Sequence, residues 1–150
     1  MAKDYKRGID LKLYHMSSGS WSTPTWTEVN AAGDIDVNEN PDDISFPVRG
    51  IAMGHLRGQS DPAINFTLAY DKGDASVTAI VDAMTSGDVI TLAVADGPID
   101  TTGTVYHKME CVLMGRAMTA PTSGPATFAV SAFRHMNSDY DLTEVTVSAP

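Results

Sequence analysis

Apolar residues fall on alternate positions in most segments that contain them, a period that suits strands buried on one face. Ile9, Leu11 and Leu13 alternate with Asp10, Lys12 and Tyr14, which predicts a first strand. A Ser/Gly/Thr/Pro-rich turn from Ser17 to Thr25 leads into a short second strand, Trp26 to Val29. Ala31, Ala32 and Gly33 turn the chain into a third, Asp34 to Asn38. Alternation returns at Ile64, Phe66, Leu68 and Tyr70, then at Val89 to Ala95, Thr104 to Met114 and Thr127 to Phe133, with a weaker signal at Val145 and Val147. One segment has a different period: Val77, Ile80, Val81 and Met84 lie at i, i+3, i+4 and i+7, the stripe of an amphipathic helix over about 75–85. Asp74 suits its N-cap and Gly87 its stop. The expected fold is mainly β, a small β-sandwich or barrel with one flanking helix, forming a single domain over 1–150.

The stretch from Asn38 to Asp61 fits neither period. Pro41, Pro47, Gly50, Gly54 and Gly58 forbid a stable helix, while Ile44, Phe46, Val48, Ile51, Met53 and Leu56 are too apolar for a solvated loop. Connections in compact domains usually span about 4–6 residues. A much longer one that carries apolar side chains is a candidate for burial against another molecule. It is read as an extended arm loop over about 38–61, ordered by assembly.

Composition narrows the partners. At 150 residues the chain can build one real core, and its formal charge of −9 argues against nucleic acid held by affinity, which needs Lys and Arg to release counterions. The charge is uneven: Lys3, Lys6, Arg7 and Lys12 mark the N-terminus, whereas Asp34, Asp36, Glu39, Asp42 and Asp43 form an acidic block. The single cysteine, Cys111, excludes an internal disulfide. The opening MAKDYKRGID has no apolar signal-peptide core, and no apolar run approaches the roughly 18 residues of a membrane helix. A protein made and kept in a reducing cytoplasm, or leaving it without a signal peptide, and no membrane are expected, and the sequon Asn65-Phe66-Thr67 is then a coincidence.

Chemical constellations are sparse. Asp34-Ile35-Asp36-Val37-Asn38 opens like a calcium loop, but Glu39 stands where the turn needs Gly and Ser45 where a bidentate Glu belongs. Strand geometry instead puts Asp34, Asp36 and Asn38 on one face, as an acidic functional surface or a plain solvated one. His15, His55, His107 and His135 share no metal-ligand spacing. His107 and Cys111 alternate in phase with Val105, Met109 and Leu113, so they read as a half-buried strand residue and a structural thiol. Gly50, Gly54 and Gly58 recur every fourth residue in too polar a setting for a membrane dimer helix. Met53, Met109, Met114 and Met118 suit adaptable packing surfaces as well as cores. Trp21, Trp26 and Tyr14 suit a core edge or a sugar-stacking platform. There is no nucleophile elbow and no phosphate loop; no enzyme and no cofactor are expected.

The order of elements resembles the tail tube proteins of long-tailed bacteriophages. The strand GIDLKLYH is followed by a Trp-containing strand, the acidic strand GDIDVN and the long arm. After these come INFTLAYD, the helix ASVTAIVDAMTSGD, VITLAVADG and a closing pair, TVYHKMECVLM and ATFAVSAFR. The run from Ile64 through Gly97 is the most specific part. The resemblance implies a non-enzymatic virion subunit that forms hexameric rings stacking into a hollow tube, assembled in the host bacterial cytoplasm. It also implies tape-measure, tail-tip and terminator proteins as partners, with DNA passing through without specific binding. By position, Pro41 to Arg57 becomes an inter-ring arm whose docking residues are Ile44, Phe46, Val48, Arg49, Ile51 and Met53. Lys3, Lys6 and Arg7 in the N-terminal segment become a second inter-ring contact. An acidic lumen that repels DNA fits the net charge, with Asp34, Asp36 and Asp71 as its candidates. Competing readings are another ring-forming tail protein (a terminator or a contractile-tail tube), a monomeric carbohydrate-binding module built on Trp21, Trp26 and Tyr14, and an acidic hydrolase using Asp42, Asp43 or Asp96.

Overall fold

A computed structural model describes residues 11–46, 54–120, 122–136, 138 and 142–148. Eight strands and one helix follow in chain order: β1 (Lys12–Gly19), β2 (Pro24–Glu28), β3 (Ala32–Phe46), β4 (Gly54–Ala69), α1 (Ala75–Ser86), β5 (Ile90–Ala95), β6 (Val105–Thr119), β7 (Thr127–Arg134) and β8 (Thr143–Thr146). All strands belong to one antiparallel sheet ordered β2-β1-β5-β6-β7-β4-β3, with β8 added against β6. The long β6 is the spine. Its first half pairs with β5 on one edge and β8 on the other, and its second half pairs with β7.

Pleat alternation distributes the side chains between two cores. Leu92 and Val94 of β5 enter the main core, whereas Ala93 and Ala95 face a smaller one with Tyr14 and Tyr106. Burial on both faces explains why the positions between Leu92 and Val94 and after it are also apolar, as Ala93 and Ala95. The main core joins Leu13 of β1 to Ile64, Phe66 and Leu68 of β4, Phe128 and Val130 of β7, and Val77, Ile80 and Ala83 of α1. Strands from both wings share that cluster, so the sheet curls into an open barrel with the helix laid into it. The β-sandwich or barrel with one helix is borne out.

The helix forms where its stripe and caps predict. The Asp74 carboxylate accepts a hydrogen bond from the Ser76 amide at 2.9 Å. Gly87 closes the helix at φ 76°, a left-handed conformation that costs glycine little, and its amide donates to the Ala83 carbonyl. Ile80, fully buried, contributes roughly 2–3 kcal/mol by leaving water.

The turn expected from Ser17 to Thr25 is shorter, because β1 continues to Gly19 and β2 begins at Pro24. Gly19 makes that tight reversal possible at φ 90°, where a Cβ would lie 2.4 Å from the Thr23 carbonyl oxygen.

The larger correction concerns the arm. Where a loop was expected over 38–61, β3 and β4 remain paired from Asn38↔Ala63 out to Phe46↔Gly54. Pro41, among the described residues, is accommodated by position. Pro41 lies on the outermost strand, beside a register shift between Pro41 and Asp43, and edges and bulges are where a residue without an N–H is tolerated. Pro62 falls one residue past the last β7 pair, Ala63↔Phe133, and offers no donor for another.

Candidate functional site

Among the described residues no group of His, Cys, Asp and Glu is placed to hold a metal ion, and no helix is long and apolar enough to cross a membrane. The nearest thing to a catalytic cluster is His15, Ser76 and Asp74. His15 Nε2 lies 3.1 Å from Ser76 Oγ, and both residues are buried, at 7% and 3% exposure. The Ser76 hydroxyl donates to the Glu28 carbonyl at 3.3 Å, while the Asp74 carboxylate is engaged as the helix cap. A substrate has no approach to this hydroxyl. The cluster fastens the start of α1 to β1 and β2. Burial holds His15 below the ordinary histidine value, against the pull of the nearby Asp74 charge.

Cys111 is the structural thiol its phase predicts. It is fully buried, its Sγ donates to the Ile90 carbonyl at 3.1 Å, and burial pushes its pKa up to about 12. His107 is half-buried as expected and sits 3.2 Å from Glu144. Of the three aromatics of the sugar-platform reading, Tyr14 and Trp26 join the smaller core and Trp21 stands apart with Lys108. Tyr14 is buried and its hydroxyl accepts from the Ile99 amide at 3.2 Å. Trp26 meets Tyr106 edge-on at 5.9 Å. Trp21 lies under the Lys108 ammonium, 4.4 Å from the ring centroid, and Lys108 Nζ also donates to the Trp21 carbonyl at 2.6 Å. Burial lowers the Lys108 pKa. No sequence signal marked this clamp, because a Lys and a Trp that far apart share no spacing rule.

What the geometry does present is a long pair of strands. Beyond β7's last pair, β3 and β4 continue for about 30 Å at roughly 3.3 Å per residue as a two-stranded ribbon with no third strand beside it among the described residues. Ile44 and Phe46 lie on it, opposite Leu56 and Gly54. Val48, Arg49, Ile51 and Met53 lie outside the described residues, as do Lys3, Lys6 and Arg7.

The acidic candidates do not converge on one spot. Asp36 heads a cross-strand row with Asn65, Ser131 and Met114, on the sheet face opposite the main core. Asp34 is also exposed but adopts φ 47° at the register shift between Gly33 and Asp36, which interrupts a regular carboxylate stripe. Ile35 and Val37 pack against the main core, as the alternation requires. Asp71 lies past the end of β4, about 20 Å along the strand from Asp36's partner Asn65, and its carboxylate accepts from the Gly73 amide at 2.9 Å.

A groove of about 320 Å³ opens there, between the β4–α1 turn and the helix, lined by Tyr70, Asp71, Lys72, Val77, Val81 and Asp82 among others. Sequence reasoning placed Val77 and Val81 on the helix stripe and Tyr70 on the strand. It could not place them together.

By sequence, no protein-family model and no curated protein matches the chain. Its fold does match solved structures. An SPP1 tail tube structure, from solid-state NMR and cryo-electron microscopy, superposes with a TM-score of 0.72 at 15% identity over 97% of this chain and 80% of that one. A chain from the tail of an empty gene transfer agent particle, refined helically with C6 symmetry, gives 0.63 at 12% identity over 96% of this chain and all of that one. A chain of a native gene transfer agent virion gives 0.61 at 14% identity over 95% and 100%. The curled sheet with its single helix and projecting strands is thus a fold found in phage and gene-transfer-agent tails.

Proposed function

We propose that this chain is a structural, non-enzymatic subunit of a virion tail, forming hexameric rings that stack into a hollow tube. The observation that carries the reading is the bare β3–β4 ribbon. A lone two-stranded hairpin is marginal in water, so one that projects about 30 Å from a well-packed body is built to be covered. The sixfold symmetry of one similar tail supports six copies per ring. In this reading the ribbon is the inter-ring arm, with Ile44, Phe46, Val48, Arg49, Ile51 and Met53 as docking residues and Lys3, Lys6 and Arg7 as a second contact. The polar face headed by Asp36 suits a lumen that passes DNA without binding it, because a wall poor in Lys and Arg releases no counterions from phosphate. Asp34 fits the same wall; Asp71, at the far end of β4, fits an inter-subunit surface better. Tape-measure, tail-tip and terminator proteins would meet the inside and the ends of the tube, and assembly would take place in the host cytoplasm.

Negative-stain microscopy of concentrated purified protein tests the reading. Rings or tubes with a central hole are expected. A strict monomer retained on a glycan column would overturn it in favour of a carbohydrate-binding module.

A further inference from the structure

Strand β4 gives the subunit two poles. At its beginning, Gly54 pairs with Phe46 at the outer end of the described ribbon; at its end, Ala69 leads into Tyr70 and the groove beside α1. About 50 Å of strand separates them at roughly 3.3 Å per residue. A contact between these two poles is head-to-tail, and repetition of such a contact extends without closing.

The two poles are also chemically matched. Val81, partly exposed above the buried Val77, gives the groove an apolar floor, and Tyr70 forms one wall. The Tyr70 ring is held edge-on to Phe128 at 5.5 Å while the residue stays 38% exposed. Asp71 and Asp82 line it with two carboxylates against the one ammonium of Lys72. The ribbon's end is the reverse. Residues 47–53 read PVRGIAM, contributing Val48, Ile51 and Met53 with Arg49, and Arg57 follows. No carboxylate occurs from Ile44 through Ser60, in a chain whose net charge is −9. The tip segment is thus apolar and cationic in sequence, and the groove at the opposite pole is apolar and acidic, a complementary pair.

We infer that the groove formed by Tyr70, Val77, Val81, Asp71 and Asp82 receives residues 47–53 of the next copy in the stack. This rests on the reading of the ribbon as an inter-ring arm, and it adds the receptor. The contact buries apolar groups of the tip on Val81 and Tyr70 and sets Arg49 beside Asp82.

Charge reversal in the full-length chain tests it. Asp82→Arg and Arg49→Asp are each expected to lower tube yield at least about tenfold, with circular dichroism and Tm unchanged, and the double variant R49D/D82R to recover most of it. A cysteine pair gives an independent readout, since buried Cys111 does not compete. Ile51→Cys with Val81→Cys should convert oxidised tubes into a ladder on denaturing gels, and neither single variant should. Tubes that form normally with D82R, or tubes of the cysteine pair that yield no ladder, overturn the inference. So does a ladder obtained from Lys6→Cys with Val81→Cys in place of Ile51→Cys, which would assign the groove to the N-terminal segment. Replacing residues 41–57 with a Gly/Ser bridge separates the two levels. If tubes persist, the arm reading itself falls; if they vanish while D82R is silent, only the groove assignment falls.

Discussion

The body and the ribbon are built from the same two strands, and they hold together differently. From Ala63 to Ala69, β4 lies between β3 and β7 and sends Ile64, Phe66 and Leu68 into a core shared with α1. From Gly54 to Pro62 it has β3 alone. The first stretch is stabilised by burial within one molecule, whereas the second pairs with β3 alone and, on the proposed reading, is covered by a neighbouring subunit. A single strand therefore passes at Pro62 from two strand neighbours to one.

The sharpest way to break this contrast is to remove the ribbon. Excising 41–57 is expected to abolish tubes entirely while shifting unfolding free energy by less than about 1 kcal/mol, as seen by microscopy alongside chemical denaturation. A large stability loss would make the ribbon part of the body. The reverse experiment is Ile80→Ala, which opens a void at a fully buried site and should cost about 2–5 kcal/mol in denaturant unfolding. A smaller effect follows from Ser76→Ala, which strands the buried His15 ring; about 1–3 kcal/mol is expected, with a lower Tm.

The same histidine predicts a pH dependence. Its folded value lies below the ordinary 6.5 because burial opposes the charged form. As pH falls below that value the unfolded chain takes up the proton first, so stability present above it declines toward the folded value. His15→Gln should flatten this slope in unfolding curves measured between pH 7 and about 5. The smallest effect on folding belongs to Asp36→Lys. It should change stability by less than about 0.5 kcal/mol, yet reverse the charge at the head of the polar sheet face and make assembled tubes retain duplex DNA in a low-salt pull-down.

Most of the body was legible because its signals are local. Alternation located each strand, and the stripe from Val77 to Met84, between Asp74 and Gly87, located the helix to within a residue at either end. The ribbon was misread as a loop because Pro41 and Gly58 are strand breakers only where a strand has neighbours on both sides. The sequence does not say which strand is an edge until the sheet order is known. The same limit hid the groove: Tyr70 and Val81 come together through the β4–α1 turn, and the Lys108–Trp21 clamp through β6 returning past the β1–β2 turn. Charge was the more portable clue, since the acid-free run from Ile44 to Ser60 is visible without any fold.

The continuity of β4 also has a mechanical side. A load applied at the ribbon's tip runs along the strand, parallel to its axis, and enters the sheet at Ala63. The β4–β7 ladder from Ala63 to Ala69 then resists in shear, so its hydrogen bonds must yield together and cannot peel one by one. Flexural strain in a filament of such subunits would be carried by this ladder together with the core packing of Ile64, Phe66 and Leu68.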